Sequence, residues 1–340
     1  MIRFTFAAIA AVLLALPAQA QNTRTITDSA GRVVQLPERV ETVFAAGPPA
    51  AILLYVMAPD RMLGWSRANR AETREFLAAP YADLPAIGTL TGQGGKAGLE
   101  RVVALQPSLI LDFGSVLDMY VDLANRVQEQ TGIPYILIDG RFENTPAALR
   151  LLGEALGVPE RGETLAQDAE ATFAHIDTLL AGIPGAERPR AYMARGPDGL
   201  ESGVVGSINT EILERAGGVN VLGRAETGRG LVQVSFEALL AADPDVIVTW
   251  DRQFFAGCRD NPFWSEMRAV REGHLHLSPV LPFGWIDGPP SINRMIGLDW
   301  MAAVFFPDRC QINLRESARA HYHLWYHVDL TEDQLDRLLP

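Results

Sequence analysis

The side chains in this sequence that could do chemistry are mainly tryptophans and arginines in short loops. The segment from Pro282 to Arg294 contains two aromatic residues, three prolines that break helix and strand, and a final arginine. Such a rigid loop can present an aromatic wall beside a guanidinium, which donates planar, paired hydrogen bonds to carboxylates and oxyanions. We therefore predict a site for an anionic, partly aromatic ligand. Its expected contact residues are Trp65, Arg195, Trp250, Trp285 and Arg294.

Two short patterns point to an enzyme, and each lacks a part. Gly92 to Ala97 fits the dinucleotide-binding pattern G-x-G-x-x-A, but no long strand precedes it and the helix that follows is short. Residues 64–68 approach a nucleophile elbow and lack its final glycine. Because the sequence holds no complete catalytic set, we predict a binding protein that needs no cofactor. A secreted enzyme is the alternative class.

Histidine spacing in two places is compatible with a metal site. His323 and His327 are four residues apart and could share one helical face, while His274 and His276 alternate along an expected strand. We expect packing and surface roles for all four and predict no metal site.

The N-terminus predicts export. Residues 1–20 combine a positive start, an apolar run over 4–16 and an A-x-A pattern, which is typical of a signal peptide cleaved after Ala20. The apolar run is shorter than the ~20 residues that a membrane-spanning helix needs. Export implies an oxidising compartment, where the two cysteines, Cys258 and Cys310, are expected to form a disulfide.

Composition narrows the class of partner. Hydrophobic residues make up 48% of the 340-residue chain and charged residues 21%, which indicates a globular protein. The length exceeds what one compact core usually takes, so two lobes are expected. The formal net charge of −12 argues against nucleic acid or anionic lipid as a partner.

An internal repeat indicates how the chain is organised. Residues 99–111 predict a short helix, a turn at Pro107 and a buried strand, and residues 236–248 repeat this plan at an offset of 137. Apolar runs without alternation favour strands covered on both faces, as in a parallel sheet. Between the two copies, residues 161–180 have the apolar spacing of one long helix.

We therefore expect an α/β fold of two βα lobes with parallel sheets, joined by a single long connecting helix. In open α/β sheets ligands bind at the carboxyl ends of the strands, so the ligand cleft is expected between the lobes. The predicted boundaries are a signal peptide at 1–20, an N-terminal lobe at 21–158, a connecting helix at 159–183 and a C-terminal lobe at 184–340.

Four segments, taken together, resemble class III periplasmic binding proteins, the iron–siderophore and cobalamin receptors of bacterial ABC importers. They are residues 99–111 (LERVVALQPSLIL), 235–248 (SFEALLAADPDVIV), 261–279 (NPFWSEMRAVREGHLHLSP) and 326–339 (YHVDLTEDQLDRLL). The resemblance implies a bilobal fold with little hinge bending. It also implies that an acidic residue on each lobe meets arginines of the permease, a role that falls on Glu100 and Glu237.

The expected function is therefore the periplasmic substrate-binding component of an ABC importer. The ligand is expected to be an iron chelate of the ferric siderophore type, delivered to the membrane permease by a monomeric receptor. Cobalamin, haem and an oxoanion such as molybdate are the alternatives, because proteins that resemble this chain bind them. The sequence contains residues that suit a wide aromatic cleft and residues that suit a small polar pocket.

Overall fold

The first half of the chain forms a parallel sheet with helices on both faces. The computed structural model describes residues 23–92, 98–224 and 230–339. Strands β3, β4 and β5 form this sheet in that order, all parallel, and β1 pairs with β2 as an antiparallel hairpin. The elements are β1 Thr23–Thr27, β2 Val33–Pro37, β3 Val43–Ala45, α1 Pro48–Met57, α2 Ala71–Arg74, α3 Leu99–Leu105, β4 Leu109–Gly114, α4 Asp118–Thr131, β5 Tyr135–Asp139 and α5 Thr145–Leu156.

The continuous apolar runs of this sheet are explained by burial on both faces. Along β4, Leu109 and Leu111 face one core cluster while Ile110 faces another, and along β5 Ile136 and Leu137 divide in the same way. Successive strand residues point to opposite faces, so a strand with helices on both sides needs an apolar residue at every position. The expectation of a parallel α/β sheet is confirmed.

One long helix, α6 Pro159–Ala181, follows the first sheet. Its 23 residues span about 35 Å at 1.5 Å per residue. It packs closely against α5 because two glycines meet at the contact. A Cβ on Gly162 would lie 2.8 Å from the Leu149 carbonyl oxygen and 3.0 Å from Gly153 Cα.

The second half of the chain repeats the parallel arrangement. Its main sheet has the strand order β11–β10–β6–β8, all parallel, and β7 pairs antiparallel with β9. The elements are β6 Arg190–Ala194, β7 Glu201–Gly203, α7 Glu211–Arg215, β8 Val219–Asn220, β9 Leu231–Gln233, α8 Phe236–Ala242, β10 Val246–Thr249, α9 Arg252–Gly257, α10 Arg268–Arg271, β11 Leu275–Leu277, α11 Arg294–Phe305, α12 Leu314–Tyr326 and α13 Glu332–Leu338.

The repeat in the sequence is also a repeat in backbone geometry. Helices α3 and α8 are both seven residues long, and each leads into a central strand of its sheet, β4 or β10. Each helix ends in a non-glycine residue with left-handed backbone, Gln106 (φ 48°) and Asp243 (φ 39°). These residues are 137 positions apart and each precedes a proline, which prevents the helix from continuing.

Helix α12 joins the two halves of the molecule. Tyr55 of α1 donates a hydrogen bond from Oη to the Tyr326 carbonyl oxygen (2.5 Å), and Trp285 Nε1 donates to Tyr322 Oη (3.1 Å). Since Tyr322 and Tyr326 both belong to α12, one helix face contacts side chains from both halves. The C-terminal segment therefore packs on both lobes, although the sequence assigns it to the second alone.

The disulfide prediction is wrong. Cys258 and Cys310 are both buried free thiols, and they belong to different core clusters. Burial raises the pKa of the Cys258 thiol to about 12 and also raises that of Cys310, so neither forms a reactive thiolate readily. Both cysteines act as small apolar core residues.

The C-terminal histidines have the packing roles that were expected. His321 is buried and its ring stacks on Trp325 at 5.2 Å between centroids, and this burial lowers its pKa to about 3. His327 lies edge-on to Tyr55 at 5.7 Å. Within the described ranges, no cluster of three or more His, Cys, Asp or Glu is placed to hold a metal ion. No helix there is long and apolar enough to cross a membrane.

The glycine contact between α5 and α6 gives a test of the fold. We expect Gly162→Ala to lower the free energy of unfolding by about 1–3 kcal/mol, because the new Cβ is too close to the backbone of α5. Gly182→Ala, at the end of the same helix, is the matched control, since its Cβ would have no atom within 4 Å. Urea denaturation of both variants measures the difference, and equal stabilities would contradict the packing described.

Candidate ligand-binding site between the two sheets

The carboxyl ends of the strands in the two sheets lie opposite one another, and glycines let their loops approach closely. A Cβ on Gly140, directly after β5, would lie 2.7 Å from Gly114 Cα at the end of β4. A Cβ on Gly47, directly after β3, would lie 2.7 Å from Thr91 Oγ1. The Gly140 contact is with backbone atoms and excludes a side chain there, whereas at Gly47 the Thr91 side chain would have to shift.

Arg195 is the most developed candidate ligand residue of the second lobe. It follows β6, its side chain is 15% exposed, and its Nε donates to Glu201 (3.0 Å). Nη1 forms an ion pair with Asp287, and the guanidinium lies over the Trp250 ring at 5.1 Å from the centroid. Two carboxylates and one aromatic face therefore hold the group in a fixed orientation.

Arg195 retains hydrogen-bonding capacity for a ligand. An arginine side chain has five N–H donors, and the described residues accept from Nε and Nη1 but not from Nη2. A largely buried guanidinium that is oriented by the protein, with two N–H groups not used by the described residues, is suited to bind an oxyanion.

The partner of Arg195, Asp287, is fully buried and was missed by the sequence interpretation. It accepts hydrogen bonds from Asn209 Nδ2 (3.0 Å) and from the Gly288 backbone N–H (2.5 Å). Burial raises its pKa, while the positive charge of Arg195 acts in the opposite direction. The sequence signal for Asp287 was its place inside the Pro282–Arg294 segment. An acidic residue among aromatics and prolines is expected to become buried, and a buried acid needs a partner.

Arg294 has a structural role, contrary to the prediction. It is 1% exposed, and all three of its nitrogens are engaged by the protein. Nε donates to the Ser291 carbonyl (3.1 Å), Nη1 to the Ile208 carbonyl (2.6 Å) and Nη2 to the Gly140 carbonyl (3.0 Å). Because Gly140 belongs to the first lobe and Ile208 to the second, one buried side chain ties the lobes together.

Two further hydrogen bonds cross between the lobes beside Arg294. The Phe142 backbone N–H donates to Glu211 Oε2 (2.8 Å), and Ser291 Oγ donates to the Pro49 carbonyl (2.9 Å). Arg294 Nη1 lies 3.6 Å from Glu211 and its guanidinium lies 4.8 Å from the centre of the Phe142 ring. Sequence patterns gave no signal for Glu211, because its partner is a backbone group distant along the chain, and Ser291 had only its place in the Pro282–Arg294 segment.

Two of the three predicted tryptophans are core residues. Trp65 is buried, packs at a tilt against Tyr55 (5.4 Å between centroids) and Phe283 (5.8 Å), and donates from Nε1 to the Tyr81 carbonyl (2.8 Å). Trp285 is fully buried. The structure therefore leaves Trp250, which is half-buried under Arg195, as the one predicted tryptophan at the strand ends. The expected aromatic wall is corrected to a single ring.

A buried acid also lies at the strand ends of the first lobe. Asp112 of β4 accepts hydrogen bonds from Tyr135 Oη (3.1 Å) and Thr91 Oγ1 (3.2 Å), and burial raises its pKa. The G-x-G-x-x-A pattern that begins one residue after Thr91 falls mostly on residues 93–97, which lie outside the described residues. Asp112 is thus part of a local hydrogen-bond network that fixes the loop preceding that segment.

The comparisons with known proteins agree on a family. A profile described as periplasmic binding protein matches residues 42–279. The chain belongs to the periplasmic binding protein family. Membership confirms the resemblance to class III substrate-binding proteins of ABC importers and a two-lobed α/β fold.

Three members of this family have close overall similarity to the chain. The molybdate-binding protein MolA of Haemophilus influenzae is 25% identical over 97% of this chain and 98% of its own. The vitamin B12-binding protein of Salmonella choleraesuis is 27% identical over 84% and 92%. An ABC transporter solute binding protein from Sulfurospirillum deleyianum superposes with a TM-score of 0.83 and 27% identity over 93% and 99%. The names describe binding and transport proteins.

The tie between the lobes can be tested by a double-mutant cycle on Arg294 and Glu211. We expect Arg294→Met to cost about 3–5 kcal/mol of stability at pH 7, because it leaves Glu211 charged and without its cation. Adding Glu211→Gln should recover part of the loss, since the amide can still accept from the Phe142 N–H.

The pH dependence of Arg294→Met gives an independent check. Burial already raises the Glu211 pKa and Arg294 opposes that shift, so the variant should raise it further. An acid with a raised folded-state pKa destabilises the fold as pH rises. The stability lost in Arg294→Met should therefore shrink as pH falls from 7 towards about 4.3. Urea denaturation across this range measures it, and additive effects of the two substitutions would contradict the coupling.

Proposed function

We propose that this periplasmic binding protein captures a small oxoanion of the molybdate class between its lobes and delivers it to an ABC permease. The observation that carries the proposal is the Arg195 guanidinium, held by Glu201 and Asp287 over Trp250 with its Nη2 donors unused by the described residues. Tetrahedral oxoanions are bound through hydrogen-bond donors and need little apolar surface.

The geometry between the lobes supports a small ligand over a bulky one. A ferric siderophore, corrin or haem gains much of its affinity from aromatic and apolar contact, and burial of Trp65 and Trp285 removes most of the predicted aromatic wall. Direct hydrogen bonds between the lobes, such as Ser291 Oγ to the Pro49 carbonyl (2.9 Å), further limit the space beside them. Similarity to MolA over nearly the whole of both chains adds support.

The ligand class is tested by thermal shift and titration calorimetry with molybdate, tungstate, a ferric hydroxamate, cyanocobalamin and haemin. Molybdate or tungstate should raise the melting temperature through mass action, which is worth ~2.7 kcal/mol at a hundredfold excess over Kd. In the variant Arg195→Met/Asp287→Asn, which removes both charges of the buried pair, oxoanion affinity should fall at least about tenfold.

Arg39→Met is the matched control, because Arg39 is an exposed arginine that precedes β3, away from the carboxyl ends of the strands, and should leave the affinity unchanged. A shift with a ferric chelate, cobalamin or haemin alone would overturn the ligand class and leave the binding role standing. No shift with any of the five compounds would contradict ligand capture itself.

We further propose that Glu100 and Glu237 dock the protein on basic groups of the permease. Both glutamates are exposed, and both are the second residue of their helix, α3 and α8. Equivalent carboxylates on two lobes allow one partner to contact both lobes together, and such charges control association rate and specificity.

Docking is tested with the cognate permease complex in nanodiscs and purified protein in solution. Glu100→Gln/Glu237→Gln should weaken binding about tenfold at 0.05 M salt, and the difference should shrink at 0.5 M salt because exposed charges are screened. Glu129→Gln/Glu266→Gln is a control with exposed glutamates from each lobe outside these helices. Equal affinity of the docking variant and wild type would contradict the role.

Export and a monomeric state complete the proposal. The composition of residues 1–20 supports a signal peptide cleaved after Ala20, in a segment outside the described residues. The importer role requires that the protein meet its permease on the outer side of the membrane. A monomer with two lobes already supplies both docking glutamates.

A further inference from the structure

Two exposed apolar side chains occupy matching positions in the repeat. Val103 is 48% exposed and Leu240 is 45% exposed, and they are 137 residues apart, like the helices that carry them. Each lies three residues after a proposed docking glutamate, Glu100 or Glu237. Positions i and i+3 are neighbours on a helix surface, so each lobe presents a carboxylate beside an apolar group.

The lobe cores do not require these side chains. The preceding residues, Val102 and Leu239, are fully buried and anchor α3 and α8 to their lobes. The helices are also held at their ends, since both terminate in left-handed residues and Ser235 Oγ accepts from the Ala238 N–H (3.1 Å) at the start of α8. Val103 and Leu240 therefore lie on rigid helices and are accessible to a partner.

On the second lobe Leu240 has further apolar side chains near it. Phe236 lies one turn before Leu240, and its ring contacts Phe263 at 5.5 Å between centroids. Phe263 is itself 63% exposed. The residue after the glutamate also differs, Arg101 in the first lobe and Ala238 in the second. The two surfaces share the glutamate and the apolar residue three positions later, and differ in the residues around them.

We propose that Val103 and Leu240 are buried when the protein docks, each in an apolar pocket beside the basic group that receives Glu100 or Glu237. The inference rests on the proposed importer role and names the permease as the partner. A surface that presents the same acidic and apolar pair twice matches a partner with two equivalent pockets, as two-fold symmetric assemblies have. The carboxylates complement the basic groups, and the apolar side chains supply contact that salt does not screen.

The test replaces the apolar groups by polar ones of similar size, in the variant Val103→Thr/Leu240→Asn. Binding to the cognate permease complex in nanodiscs should weaken about tenfold, as expected for central interface side chains. The loss should be as large at 0.5 M salt as at 0.05 M salt, unlike that of Glu100→Gln/Glu237→Gln. Leu240→Asn alone should weaken binding more than Val103→Thr alone, because leucine is the larger apolar side chain and Phe236 lies one turn before it.

Val33→Thr/Val219→Thr is the matched control, with one exposed valine from each lobe (70% and 44% exposed) outside α3 and α8. Circular dichroism melting and ligand affinity should be the same in all variants. Loss of permease binding in the glutamate variant with none in Val103→Thr/Leu240→Asn would overturn this inference and leave the docking role intact. Equal losses in the control and the apolar variant would also overturn it. If neither the glutamate variant nor the apolar variant weakens binding relative to wild type, both this inference and the docking role are contradicted.

Discussion

The arrangement of the molecule depends on one buried guanidinium. Arg294 is almost wholly removed from solvent and donates to the carbonyls of Gly140, Ile208 and Ser291, which lie on both sides of the interlobe boundary. Burying a charge is costly unless every donor is satisfied, and at 1% exposure the Arg294 guanidinium has almost no access to solvent in place of these carbonyls. The lobes are therefore fixed relative to each other at this point. The position of the strand ends, and with it the space for a ligand, is set before the ligand arrives.

The two arginines of the interlobe region look alike in sequence but have different roles. Arg294 has all its nitrogens occupied by the protein and holds the lobes, whereas Arg195 is oriented by two carboxylates and a tryptophan and keeps Nη2 unused within the described ranges. Because the lobes are tied, Glu100 and Glu237 keep a fixed separation, which the proposed docking of both on one permease requires.

The fold could be predicted because its signals are local and periodic. The repeat places α3 and α8 correctly, and residues 161–180 predict most of α6, whose observed range is Pro159–Ala181. The site could be predicted only in part. Trp285 and Arg294 occur in a segment whose composition fits a loop, yet burial under α12 and at the interlobe contact is decided by residues far along the chain. The same limit explains the disulfide error, since separation in sequence does not reveal that Cys258 and Cys310 lie in different clusters.

The most direct test of the central claim is a crystal structure of the protein with tungstate, using the anomalous signal of tungsten. Our account predicts one strong peak between the carboxyl ends of the two sheets, with an oxyanion oxygen about 3 Å from Arg195 Nη2 and the Arg294 hydrogen bonds unchanged. A peak elsewhere, a peak bound by Arg294 in place of its carbonyl partners, or no peak at saturating tungstate would contradict it.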